Sequence, residues 1–87
     1  MKAFITVIGH DTVGVVAKVA ALCCELNINI EDVTQSILQG MFAMIMLVDI
    51  QHMECSLDEL KESILQEVPT MTVHVMHEDI FNSMHRI

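Results

Sequence analysis

The stretch Ile8-Gly9-His10-Asp11-Thr12-Val13-Gly14-Val15 decides how this chain is read. Before it, Lys2 to Ile8 is a short apolar run with β-branched residues, a strand signal. After it, Val15 to Leu26 carries apolar residues at helical spacing. At 100° per residue, Val15, Val16, Val19, Leu22, Cys23 and Leu26 fill an arc of roughly 120°, the width of a core-facing stripe. Two glycines flank a polar tripeptide at the changeover, so a strand turns sharply into a helix. The first N–H groups of such a helix have no partner within it and point outward. With the helix dipole they form a small site suited to a carboxylate or phosphate. Asp11 or Thr12 is placed to be the N-cap.

Working outward, Asn27-Ile28-Asn29-Ile30 closes this helix, since Asn tolerates left-handed backbone. A second strand runs from Ile30 to Leu38. Gln39-Gly40 then reads as a hairpin turn. The third strand, Met41 to Ile50, is apolar on both faces, with Phe42, Met44, Met46, Val48 and Ile50 on one and Met41, Ala43, Ile45 and Leu47 on the other. A strand of that kind needs cover from both sides. Ser56-Leu57-Asp58-Glu59 is a capping box opening a second helix, with Leu57, Leu60, Ile64 and Val68 as its stripe and Pro69 as its end. Thr70 to Met76 reads as a fourth strand. Ile80, Phe81, Met84 and Ile87 recur at helical spacing, which predicts a short terminal helix at about 79–87.

The order strand, helix, strand, strand, helix, strand, with one central hairpin and two crossovers, is an α+β, ferredoxin-like βαββαβ fold. It predicts a four-stranded antiparallel sheet in a single domain spanning 1–87. Two helices lie on one face, and the other is left for a partner.

Composition narrows the function. Of 87 residues, 53% are hydrophobic, more apolar surface than so short a chain readily hides. A homodimer or higher homo-oligomer is the expected sink. Twelve acidic residues against four basic ones give a charge of −8, which opposes nucleic-acid binding. The three aromatics are all Phe, so no base-stacking platform exists. The longest apolar run, Met41 to Val48, is far short of the ~20 residues a membrane span needs. The N-terminal segment lacks a cleavage-site pattern, and a cytoplasmic location is expected.

Cys23, Cys24 and Cys55 lack the spacing of a zinc site, and their odd number argues against a disulfide framework. His74 and His77, three apart on a strand, face opposite sides. No nucleophile elbow or Walker loop is present. No metal, cofactor or catalysis is expected. Outside the stripe of the first helix, Ala17, Ala21 and Cys24 leave a face poor in charge; helix propensity accounts for it as readily as a contact surface does.

With the order and the first turn in hand, the chain resembles an ACT domain. The matching residues are Gly9-His10-Asp11-Thr12-Val13-Gly14-Val15, then Val19 and Leu22, then Asn29-Ile30 and Gln35, and the likeness covers residues 2 to about 77. It is most similar to the small stand-alone ACT proteins of bacteria and archaea, which are like single repeats of the glycine cleavage system transcriptional repressor. The ending His77 to Ile87 looks like that subgroup's tail. The resemblance implies a regulatory domain that binds small ligands, often amino acids, between two copies. Contacts then come from the strand-to-helix loop of one copy and the start of the second strand of its neighbour. By position these are Gly9, Asp11 and Gly14 on the loop and Asn29 and Ile30 on the strand. Many ACT loops carry Pro where this chain has Val13, and serine-binding members carry Asn in place of Asp11.

From the residues themselves, Asp11 is suited both to capping and to pairing with an amino-acid ammonium whose carboxylate rests on the N–H groups around Gly14 and Val15. His10 is a candidate donor beside it. Having no effector domain in this stretch, such a module would signal by contact with a regulated protein. The alternative is a protein–protein interaction module without a functional pocket.

Overall fold

In the computed structural model, which describes residues 1–10 and 13–84, the elements follow the expected order. Strand β1 spans Lys2–Gly9, helix α1 Val15–Glu25, β2 Asn29–Leu38 and β3 Met41–Asp49. Helix α2 spans Leu57–Glu67, β4 Thr72–His77 and a short α3 Glu78–Met84. The sheet order is β2-β3-β1-β4 with every neighbouring pair antiparallel. The expected ferredoxin-like architecture is therefore present, a slab 20 Å through its thin dimension.

Local chemistry explains the ends of the elements. The Ser56 hydroxyl accepts from the Glu59 N–H at 3.1 Å, and Glu59 Oε1 accepts from the Ser56 N–H at 3.3 Å, completing the capping box. At the end of α1, Asn27 takes φ 60, and the Ile28 N–H donates to the Cys23 carbonyl at 2.8 Å. This is the wrapped helix end that a left-handed residue permits. Gln39 and Gly40 both have positive φ, 52 and 79, as a two-residue hairpin with the right twist requires. Glu31 is the extra residue of a bulge between Ile30 and Asp32, and its Oε1 lies 3.3 Å from Lys2 Nζ.

Several boundaries differ from the sequence reading. Strand β1 includes Gly9 and β2 begins at Asn29, because both residues remain on the ladders opposite Phe42 and Asp49. Strand β4 starts at Thr72 rather than Thr70, since the Met71 N–H closes a turn onto the Val68 carbonyl at 3.0 Å. Helix α3 starts one residue early, at Glu78, where His77 Nδ1 accepts from the Asp79 N–H at 3.2 Å. The expected last turn to Ile87 lies outside the described residues.

The core lies between the sheet and α1 and α2. Ala3, Ile5 and Val7 of β1 and Phe42, Met44, Met46 and Val48 of β3 face Val15, Val19, Leu22 and Cys23 of α1 and Leu60 and Ile64 of α2. All are buried. On the other side of the sheet Ile8 is 40% exposed, Met41 38% and Ile45 39%. The second apolar face of β3 is thus open in the single chain. The helices also stop short of the outer strand. Val33 and Ile37 share the helix-side face, opposite Met46 and Phe42, yet Ile37 is 64% exposed.

Candidate functional site

The β1–α1 turn begins at Gly9, against which the end of the Met71 side chain packs. A Cβ there would overlap the sulphur of Met71 and stand 3.1 Å from its methyl group. Met71 lies more than sixty residues away in sequence, and no local signal announces it. Gly14 is required for a different reason: its φ of 69 is left-handed, a conformation that costs a side-chain-bearing residue energy. Gly14, not Asp11 or Thr12, occupies the N-cap position of α1. The Lys18 N–H closes the first helical bond onto the Gly14 carbonyl at 2.9 Å. Asp11 and Thr12 lie outside the described residues.

The consequence is a helix start whose cap residue has no side chain to offer, with no side-chain cap among the described residues and no acidic residue in its first turn. The N–H groups of Val15, Val16 and Ala17 precede the first possible acceptor within the helix. The Val15 side chain is 1% exposed and belongs to the core, which leaves only its backbone N–H facing the turn. Beside the turn, Ile8, Gly9, His10, Met41, Thr70 and Thr72 line a concavity of about 520 Å³. His10 is exposed at its rim.

Asn29 and Ile30 are elsewhere. Asn29 pairs with Asp49, and Asp49 pairs with Lys2, whereas Gly9 pairs with Phe42. Seven steps along β1 separate the two levels of the sheet, roughly 23 Å at the strand rise of about 3.3 Å. Within one chain the structure does not bring the two sets of candidate residues together. Around Asn29 lies a second concavity of about 440 Å³, lined by Cys24, Asn27, Ile28, Asn29, Asp49, Gln51 and His52. The Asp49 carboxylate there accepts from the Gln51 N–H at 2.9 Å. Asp49, Gln51 and His52 were not singled out by sequence reasoning, because register with Asn29 is the signal that groups them.

Burial sets Cys23 and Cys55 apart from this chemistry. Burial pushes the Cys23 thiol up to about 11. Cys55 is raised by burial and then by the Glu59 carboxylate. Neither is primed as a thiolate. Among the described residues no three His, Cys, Asp or Glu side chains gather so as to hold a metal ion. No helix among them is long and apolar enough to cross a membrane.

Comparison with known proteins fits this geometry. The ACT domain family model matches residues 2–78. A UPF0237 protein of Listeria innocua is 44% identical over 89 residues, covering all of both chains. The solved structure of an ACT domain protein from Streptococcus pneumoniae is 31% identical, covers 93% of each chain and superposes with a TM-score of 0.77. A putative glycine cleavage system transcriptional repressor shares the fold at 13% identity and a TM-score of 0.71, over 85% of this chain and 44% of its own. A strand-to-helix turn with glycine at the helix cap, on an antiparallel βαββαβ sheet, with a family match across nearly the whole length, places this chain in the ACT domain family.

Proposed function

We propose that the chain is a regulatory module that binds an amino acid or similar small metabolite between two of its copies and passes occupancy on to a partner protein. The observation that carries this reading is the separation of the candidate residues along the sheet. Strand β2 is an outer strand with one edge unpaired within the chain. Suppose a two-fold axis passes through the middle of Asn29–Leu38. Antiparallel pairing of β2 with its copy then carries the partner's first residue, Asn29, to the level of Leu38. Leu38 pairs with Met41, one step from the level of Gly9. Each pocket would take its turn from one chain and its strand start from the other.

The chemistry suits a zwitterion. The ligand carboxylate rests on the first-turn N–H groups of α1, favoured by the helix dipole. Its ammonium pairs with Asp11, flanked by His10, a charge-assisted contact that orients as well as binds. The same β2 pairing would cover Val33 and Ile37, which the chain leaves exposed.

A thermal-shift screen of the full chain over the twenty amino acids tests this. A ligand at a hundred times its Kd stabilises the native state by about 2.7 kcal/mol, a rise of roughly 10 °C or more for a domain this size. Asp11→Asn removes the charge while keeping the side chain's size and an acceptor oxygen. Calorimetry should then show amino-acid affinity falling at least tenfold, and an unchanged affinity would sink the ammonium contact. No shift with any amino acid would favour the interaction-module reading.

A further inference from the structure

Beyond Asn29 itself, the concavity around that residue has as yet no part in the two-copy pocket. Pairing of β2 with its copy about a two-fold axis would set the two α1 helices antiparallel on one side of the joined sheet. The start of one helix would then stand at the level where the other ends and Asn29 opens β2. A positive helix end would face a negative one. We infer, resting on the two-copy pocket already proposed, that the concavity at the end of α1 selects amino acids whose side chain carries a cationic nitrogen group.

Charge and hydrogen-bonding capacity point to a cation. Asn27, Asn29, Asp49, Gln51 and His52 stand around a space of about 440 Å³. Three of them are amides whose side-chain oxygens accept hydrogen bonds, and Asp49 adds a carboxylate. Lysine and arginine do not occur among the described residues that line the space. The last turn of α1 holds no basic residue either, so no side chain offsets the negative end of its dipole. Asp49 Oδ1 accepts from the Gln51 N–H at 2.9 Å and lies 3.8 Å from the Met1 ammonium. Neither contact uses Oδ2. Lys2, opposite Asp49 on β1, has its Nζ 3.3 Å from Glu31 Oε1, so its charge is matched to another carboxylate. An apolar side chain would desolvate Asp49 with nothing in exchange. A cationic one gives it a charge-assisted partner.

Reach agrees. From β1 through β3 and β2 to the partner's β2 is three strand spacings, about 14 Å. An extended amino acid with a terminal side-chain ammonium spans roughly 8 Å from carboxylate carbon to nitrogen. Hydrogen bonds of about 2.9 Å at its two ends bring it close to that gap. With the carboxylate on the first-turn N–H groups of α1 and the α-ammonium at Asp11, the side chain of such a ligand extends toward the partner's concavity.

Isothermal titration calorimetry of the full chain with L-lysine, L-arginine and L-norleucine tests this, norleucine being lysine without its terminal ammonium. Lysine and arginine should bind the wild type about tenfold more tightly than norleucine, or better. Asp49→Asn should weaken lysine about tenfold more than it weakens norleucine. His52→Lys, at an exposed position, sets a fixed positive charge at the rim and should also lower the lysine preference. It serves as the second variant should Asp49→Asn disturb the turn at Gln51. Equal affinity of the wild type for lysine and norleucine would overturn the cation contact and leave the two-copy pocket standing. So would a lysine preference that persists in whichever of the two variants fold, as checked by circular dichroism. Binding of no amino acid at all would overturn both.

Discussion

Helices α1 and α2 are each eleven residues long and cross the same side of the sheet, yet they begin in opposite ways. Helix α2 starts with Ser56, closes a reciprocal capping box with Glu59 and carries Asp58 and Glu59 in its first turn. The Ser56 hydroxyl satisfies the Glu59 N–H, and the two acids complement the helix dipole. Helix α1 starts at a left-handed glycine, with no side-chain cap among the described residues and no first-turn acid. A side-chain cap typically contributes about 1 kcal/mol, a worthwhile fraction of the stability of so small a domain. The contrast sets a helix that caps itself beside one whose cap position carries no side chain. In a family of regulatory ligand-binding domains, the latter is the helix that follows the strand-to-helix turn.

The comparison is sharpened first by what anchors α1. Cys23 lies on its buried face with no exposed surface, and burial raises its thiol from 9.0 to about 11. The folded chain therefore holds this proton more tightly than the unfolded chain. The stabilisation is complete below pH 9 and is lost as pH rises from 9 to about 11, reaching roughly 3 kcal/mol. Denaturant titrations across that range should show wild-type stability falling more steeply than that of Cys23→Ala, which is less stable at neutral pH because of its cavity. Parallel slopes would show that Cys23 titrates alike in both states.

A smaller effect is expected at the start of the same helix. Gly14→Ala places a Cβ on backbone at φ 69 and should cost about 1–2 kcal/mol. A Cβ there meets nothing nearer than Lys18 Cε at 3.8 Å, so the penalty is conformational rather than steric. If the turn is the ligand site, amino-acid affinity falls with it.

The smallest effect belongs to α2. Ser56→Ala should lower stability by about 1 kcal/mol and leave any ligand-induced shift unchanged, because its effect stays at its own helix end. Should Ser56→Ala weaken ligand response as much as Gly14→Ala does, the division of labour between the two helix starts fails.

Much of this was legible in the residues. The order of elements, the capping box at Ser56, the left-handed Asn27 and the hairpin at Gln39-Gly40 are all dictated by groups within four residues of one another. The alternation of Phe42, Met44, Met46 and Val48 likewise predicted the buried face of β3. The N-cap of α1 was misplaced because Asp11 and Thr12 have the right chemistry, whereas the backbone path puts the cap at Gly14. The role of Gly9 was hidden because Met71, which fills the space a Cβ would occupy, comes from the turn before β4. Likewise Asp49, Gln51 and His52 join Asn29 through strand pairing across twenty residues.

By itself, then, the sequence determined the local conformations, the faces of each element and the family, because periodicity, capping and turn preference act over short chain distances. Tertiary structure decided which residues share a level of the sheet and which apolar side chains stay uncovered. Register and burial depend on what distant segments place alongside. That is why the turn around Gly9 and Gly14 and the strand start at Asn29 and Ile30, close in sequence, stand at opposite ends of one sheet.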